Sequence, residues 1–244
     1  MTLELSVVVP AYNEQDRLPA ALQRIREYLR HAHPASEIIV VDDGSSDRTA
    51  DIARSLQNDL PELRLLSKGQ NRGKGYSVRH GMLEARGAFA LFTDADLSAP
   101  IEEAERLLAA LAAADVAIGS RALDRRLIQI HQSRARELAG ILFNRMVRLF
   151  TGLPFEDTQC GFKAFRTARA RIIFEQQRIE DFGFDPEILF LAKRNGLRVV
   201  EIPVRWSHDA RTKVHIVRDS LRMFFDLWRI RWNALRGRYP KHAK

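Results

Sequence analysis

Short apolar runs alternate with amphipathic stretches along the first third of the chain. Leu5 to Val9 reads LSVVV, a β-branched run that predicts a buried strand, and Leu18, Ala21, Leu22, Ile25 and Leu29 then recur at helical spacing. Ile38 to Val41 predicts a second strand, Thr49 to Leu56 a helix, Leu63 to Leu66 a strand, Gly75 to Ala85 a helix and Ala88 to Phe92 a strand. Continuous apolar strands with helices between them imply an α/β fold, a Rossmann-like and mostly parallel sheet flanked by helices. Further on, Val116 to Ile118 predicts another strand and Ser133 to Phe150 a helix. From Val217 onward Leu221, Phe224, Phe225, Trp228, Trp232 and Leu235 keep helical spacing, with Arg218, Arg222, Arg229 and Arg236 along one edge. Residues 216–244 are therefore expected to form an amphipathic, basic C-terminal helix and tail. Such a helix either lies in a membrane interface or packs on the domain with its polar side in water.

Ligands of open parallel sheets bind at the carboxyl ends of the strands, and the polar clusters of this chain fall there. PAYNE (10–14) follows the first strand, DDGSSD (42–47) the second, KGQNRGKG (68–75) the third and DAD (94–96) the fourth. Each is ordinary turn chemistry alone; four on one edge point to a ligand. Asp42 or Asp43 is suited to a base or ribose, and Lys68, Arg72 and Lys74 to a diphosphate. Asp94 and Asp96 beside phosphate repel it unless a hard cation, Mg²⁺ or Mn²⁺, lies between.

Composition adds limits. At 244 residues and 45% hydrophobic, the chain has material for one domain of ordinary size. The single cysteine, Cys160, excludes an internal disulfide and reads as a small packed residue. No basic and apolar leader precedes the first strand, and no apolar run approaches the ~18 residues of a membrane span. Charge is uneven: residues 1–120 hold 13 Lys and Arg against 18 Asp and Glu, while residues 121–244 hold 26 against 13. A basic second half suits an anionic partner. Nucleic acid is not the expected one, because no aromatic RNA-binding motif or recognition helix accompanies the charge.

Taken in order, VVVPAYNE, IIVVDDGSSDRT, NRGKG and TDADLSAP resemble the nucleotide-binding half of the inverting GT-A glycosyltransferases of family 2, which use nucleotide-diphosphate sugars. The resemblance implies a GT-A domain over residues 1–215, with a nucleotide-sugar-binding half at 1–120 and an acceptor half at 121–215. It implies that Pro10, Ala11, Tyr12, Glu14, Val41, Asp42 and Asp43 cradle base and ribose. Asp94, Ala95 and Asp96 would meet ribose, metal and diphosphate, with Asp96 the main metal ligand.

The second half decides the acceptor. GSR (119–121), DTQCGFKAFR (157–166) and GFDPEILFLAKRNGLRVVEIPVRW (183–206) resemble the polyprenyl-phosphate glycosyltransferases, most closely the dolichyl-phosphate glucosyltransferase branch. The reaction this implies moves a hexose, glucose from UDP-glucose, to a polyprenyl or dolichyl phosphate, giving a β-linked product. GDP-mannose as donor or a hydroxyl-bearing saccharide as acceptor are the alternatives. Arg121, Arg134 and Arg136 are the candidates for the acceptor phosphate, since an Arg cluster suits bidentate contact. Asp157, expected as a catalytic residue with Asp94 and Asp96, either orients a basic neighbour or the sugar, or is a turn aspartate before Gly161. In the stretch SHDARTKV (207–214), Lys213 matches a diphosphate-binding lysine of the relatives, while Arg211 stands where they carry glycine. His208 and His215 flank that stretch without metal-ligand spacing. A lipid acceptor implies a cytoplasmic protein, peripheral on the cytoplasmic face of a membrane.

Overall fold

The computed structural model describes residues 3–67, 69–209 and 216–240, with 216–220 as helical backbone alone. The first half runs β1 (Leu5–Ala11), α1 (Leu18–Ala32), β2 (Ser36–Asp42), α2 (Thr49–Leu56), β3 (Leu63–Ser67), α3 (Lys74–Glu84) and β4 (Phe89–Thr93). The second runs α4 (Ala104–Ala110), β5 (Val116–Ser120), β6 (Ile128–Ile130), α5 (Arg134–Thr151), β7 (Phe162–Arg166), α6 (Thr167–Gln176), α7 (Phe184–Arg194), β8 (Val199–Pro203), β9 (Trp206–Ser207) and α8 (Ile216–Leu235).

Seven strands form one sheet in the order β3-β2-β1-β4-β7-β5-β8. All neighbours pair in parallel except β7, which runs antiparallel to both β4 and β5. Alternate residues of β1 feed opposite cores: Val8 joins one with Ile39, Phe92, Phe165 and Ile188, while Val7 and Val9 join the other with Ile38, Leu22 and Ile25. Both faces are covered, which is why the strands read as continuous apolar runs rather than alternating ones. Parallel pairing of β1, β2 and β4 puts their carboxyl ends, and the polar clusters that follow them, on one edge.

Two helices depart from ordinary amphipathic behaviour. On α5, capped by Ser133 and ended by Gly152 in a left-handed turn (φ 68°), only Val147 and Thr151 are buried. Every residue of α7 from Phe184 to Ala192 is buried. The C-terminal helix α8 packs beside both, inserting Leu227 and Ile230 and, just beyond its end, Tyr239. Its opposite stripe, Leu221, Phe225, Trp228, Trp232 and Leu235, is exposed. Among the described residues no helix is long and apolar enough to cross a membrane.

Candidate active site

The loops after β1 and β2 interlock. Asn13 takes a left-handed conformation (φ 54°), its Oδ1 accepts from the Ser46 amide at 2.8 Å, and the Glu14 amide donates to Thr49 Oγ1 at 2.7 Å. Register places Pro10 opposite Val41 and Ala11 opposite Asp42. Both aspartates that follow are buried and brace neighbouring turns. Asp42 accepts from Ser67 Oγ at 3.0 Å and the Ser45 amide at 3.2 Å. Asp43 accepts from the amides of Arg72 at 3.0 Å and Gly73 at 2.7 Å. Burial pushes the Asp43 carboxyl up against those amides, which favour its charge. Gly73 (φ 109°) has no room for a side chain, since a Cβ would stand 2.5 Å from the Glu180 carbonyl. The turn thus delivers Lys74 to the start of α3, where its Nζ lies 2.6 Å from Asp94 Oδ1.

A cleft of about 360 Å³ opens beside this pair, and Lys74, Asp94, Asp96, Arg121, Arg136 and Asp157 are among the residues that line it. Asp96 Oδ1 accepts from the Ser98 amide at 2.9 Å, an Asx turn that fixes the carboxylate. Burial first, and then the charge of Asp94, push the Asp96 carboxyl up. That like-charge strain is what a bound cation relieves. Among the described residues no cluster of three acidic, histidine or cysteine side chains forms a complete metal cage.

Across the cleft, Arg121 holds Asp157 in a two-pronged pair, Nε to Oδ2 at 2.6 Å and Nη2 to Oδ1 at 2.8 Å. The Arg121 amide adds a third bond to Oδ2 at 3.0 Å. Burial alone would raise the Asp157 carboxyl, but the Arg121 charge and hydrogen bonds outweigh it and hold it below the usual carboxylate range. Glu201 on β8 secures the turn from behind, accepting from the Asp157 amide at 2.7 Å and the Glu156 amide at 2.9 Å. The Arg121 guanidinium also lies 5.4 Å from the Trp206 ring.

The structure therefore brings Lys74, Asp94, Asp96, Arg121, Arg136 and Asp157 together. Ala95 is buried behind the acidic pair. Arg134 is exposed at the start of α5 and Arg72 pairs with Glu180 over the Tyr76 ring; neither lines the cleft. Lys68, Arg211, Lys213 and His215 lie outside the described residues, as does the side chain of Arg218. Cys160 is buried, and burial pushes its thiol up to about 12, as fits a packed residue.

Several residues were missed. Arg125, paired with Glu137, and His208, stacked on Trp206, also line the cleft. Arg17 bonds Glu14 and lies 3.5 Å from Asp209 at the cleft edge. Lys163, fully buried on β7, donates from Nζ to the Cys160 carbonyl at 2.6 Å and Asp185 Oδ1 at 2.5 Å. Its signal was present, because a lysine inside the apolar strand FKAFR must find a partner.

The model of glycosyl transferase family 2 matches residues 6–168. A dolichyl-phosphate beta-glucosyltransferase of Saccharomyces cerevisiae is 35% identical over 259 residues, covering 98% of this chain and 78% of that protein. That of Drosophila melanogaster is 37% identical over 243 residues, covering 94% and 74%. Among solved structures, glucosyl-3-phosphoglycerate synthase from Mycobacterium tuberculosis, in complex with Mn²⁺, uridine diphosphate and phosphoglyceric acid, matches with a TM-score of 0.67 at 18% identity over 99% of this chain and 80% of that one. That likeness bears on the fold, in which a parallel sheet with one inserted antiparallel strand carries the acidic pair at its edge. By sequence and by architecture, the chain belongs to glycosyl transferase family 2 and is a glycosyltransferase of the GT-A fold.

Proposed function

We propose that the protein transfers glucose from UDP-glucose to a polyprenyl phosphate of the dolichyl type, inverting the anomeric centre to give a β-linked lipid-phosphate sugar. The relatives' descriptions support the sugar and the acceptor class. The observation that carries the reading is the state of Asp157. A hydroxyl acceptor needs a base to take its proton, and a carboxylate clamped by three bonds from Arg121 is a poor one. A phosphate monoester, with a second pKa near about 6, is mostly dianionic at neutral pH and needs none. Guanidinium carries five donors, of which Arg121 commits Nε and one Nη2 hydrogen to Asp157. The rest are available to a phosphate, with Arg136 and Arg125 on the same wall.

Asp94 and Asp96 would be the residues to hold a hard divalent cation, Mg²⁺ or Mn²⁺. Bound there, such an ion would supply positive charge to offset the negative charge developing on the oxygens of the diphosphate leaving group. Lys74 sits beside the pair and supplies a second positive charge to the same oxygens. In the transfer, an acceptor phosphate oxygen forms its bond to the anomeric carbon as the bond to UDP breaks on the opposite face. Arg121 and Arg136 hold the attacking phosphate in line, so that positioning does most of the work.

We place the protein at the cytoplasmic leaflet. The helices α5 and α8 pack together, and α5 too carries exposed apolar side chains, Leu138, Leu142 and Leu149. Arg222, Arg229, Arg231 and Arg236 flank the exposed stripe of α8. The test is incubation of the purified protein with labelled UDP-glucose, Mg²⁺ or Mn²⁺, and either a polyprenyl phosphate or a saccharide acceptor. The expected product is an organic-soluble β-glucosyl phosphate; transfer to the saccharide alone, or preference for GDP-mannose, overturns the reading.

A further inference from the structure

Lys74 reaches Asp94 from a turn that its own neighbours do not fix, since glycines flank it at 73 and 75 and glycine leaves the backbone free. What fixes the turn is the loop between α6 and α7. Neither glycine has room for a side chain: a Cβ at Gly73 would stand 2.5 Å from the Glu180 carbonyl oxygen, and one at Gly75 would stand 2.8 Å from that of Ile179. The Tyr76 amide donates to the Glu180 carbonyl at 3.0 Å, and Gln177 Nε2 bridges the carbonyls of Gly75 at 2.8 Å and Ile179 at 3.0 Å. Backbone lies directly on backbone here, so a shift of the loop is passed to Lys74 with little to absorb it.

The loop is held in turn from the far end of the chain. Glu187, fully buried in the first turn of α7, accepts from the amides of Arg178 at 3.1 Å and Ile179 at 2.8 Å, and from Tyr239 Oη at 2.5 Å. Tyr239, also fully buried, follows α8, and its hydroxyl takes a further bond from Asn233 Nδ2 at 3.3 Å. The segment around it is bound along its length: the carbonyls of Arg238, Tyr239 and Pro240 accept from Arg178 Nε at 3.1 Å, Arg194 Nε at 3.3 Å and Gln176 Nε2 at 2.7 Å. Apolar side chains would fill this space at less desolvation cost. Packing alone therefore does not account for a carboxyl aimed at two successive loop amides and a phenol aimed at that carboxyl.

We propose that Tyr239 and Glu187 are positioning residues for the transfer: Tyr239 holds Glu187, Glu187 fixes residues 177–181, and these set the turn from which Lys74 meets the donor's diphosphate. Neither residue lines the cleft, so the end of the chain takes part in donor binding without touching the donor. The assignment rests on the reading of Lys74 as a ligand of that diphosphate.

The experiment compares the whole protein with Tyr239→Phe, which keeps the ring beside Phe190 and removes only the hydroxyl. Amide hydrogen exchange reports on the turn, and calorimetry on UDP affinity in the presence of Mn²⁺. In the variant, exchange at the Tyr76 and Ser77 amides is expected to quicken by about three- to tenfold, the worth of one hydrogen bond, and by more than at the amides of β1. Affinity for UDP and kcat/KM for UDP-glucose should fall by a similar factor. On a Lys74→Ala background Tyr239→Phe should cost no further affinity, because the group it positions is gone. Unchanged exchange and affinity, a uniform quickening of exchange through the sheet, or a loss of the same size with and without Lys74 overturns the proposal; the last two mark a residue that serves stability alone. If Tyr239→Phe is too unstable to assay, Gln177→Met cuts the bridge to Gly75 beside the turn and should give the same pattern, with the same results counting against it. A turn that loosens as expected in a protein that, unaltered, binds no UDP upholds the coupling and contradicts the donor reading instead.

Discussion

A Cβ at Gly161 would stand 2.1 Å from Asp94 Oδ2, so the smallest side chain at that position is incompatible with the acidic pair as it sits. The two aspartates have opposite sensitivities. Asp94 depends on the space that Gly161 leaves and on Lys74, whereas Asp96 is held by its own turn. Replacing Asp96→Ala should therefore abolish metal-dependent turnover, by at least about hundredfold, without harming the fold. Without metal the melting temperature should hold or rise, because a like-charge neighbour has been removed. Near-normal activity, with an unchanged metal titration, is the contrary result. The Asp-x-Asp pair, Lys74 and Arg121 were legible in the sequence because each directly follows or opens a regular element. The Arg121–Asp157 clamp, by contrast, joins residues 36 apart, and local pattern carries no information on such a pairing. The pairing of Arg72 with Glu180, 108 residues away, was hidden for the same reason.

At the level of elements, α7 is the member whose first turn serves two different purposes. Asp185 faces the cleft, while two residues on, Glu187 is fully buried and accepts from the amides of Arg178 and Ile179 and from Tyr239 Oη at 2.5 Å. Tyr239 lies beyond α8, so the C-terminal segment is locked to the loop that supports Gly73 and Lys74. Burial pushes the Glu187 carboxyl up to about 7 from an ordinary 4.5, against the bonds that favour its charge. A raised carboxyl binds protons more tightly in the folded state than in the unfolded one. Stability contributed by the protonated form is therefore full below about pH 4.5, falls as pH rises towards 7 and is flat above it, over a range on the order of 3 kcal/mol. Glu187→Gln should remove that slope. Denaturant unfolding of both proteins at pH 5 and pH 8 checks it: the variant should gain on the parent at pH 8, and an unchanged difference would overturn the assignment. The sequence hid α7 because a helix buried on every side has no amphipathic period. It also hid β7, since nothing in FKAFR distinguishes a strand that runs against its neighbours. The elements around β1, β2 and β4 were readable because each alternates with a helix that has one wet face.

Across the whole molecule, charge and apolar surface fall on the second half. Removing α8 is a poor test of membrane binding, because Leu227, Ile230 and Tyr239 are core and their loss costs several kcal/mol. Surface residues separate the two roles. Phe225 is 67% exposed and Leu235 77%, on the stripe away from the packed face. With the proposed acceptor, the polyprenyl chain stays in the bilayer and only its phosphate reaches water, which would require the cleft to face the membrane. Both α5, through Phe143, and α8, through Met223, contribute to the cleft wall as well as to the apolar face. Each Lys or Arg at an anionic surface adds about 1 kcal/mol, and inserted apolar side chains add a salt-independent part. Phe225→Ser with Leu235→Ser should then weaken binding to anionic liposomes by about ten- to hundredfold, leaving the residual binding more sensitive to salt. Activity on a long-chain polyprenyl phosphate in vesicles should fall with it. Activity on a short, water-soluble polyprenyl phosphate and the melting temperature should stay near those of the parent, because neither substituted side chain lines the cleft or supports the core. Equal losses on the two acceptors at unchanged stability would show that the stripe serves catalysis directly, and liposome binding unmoved by the substitutions would assign the membrane contact to another face.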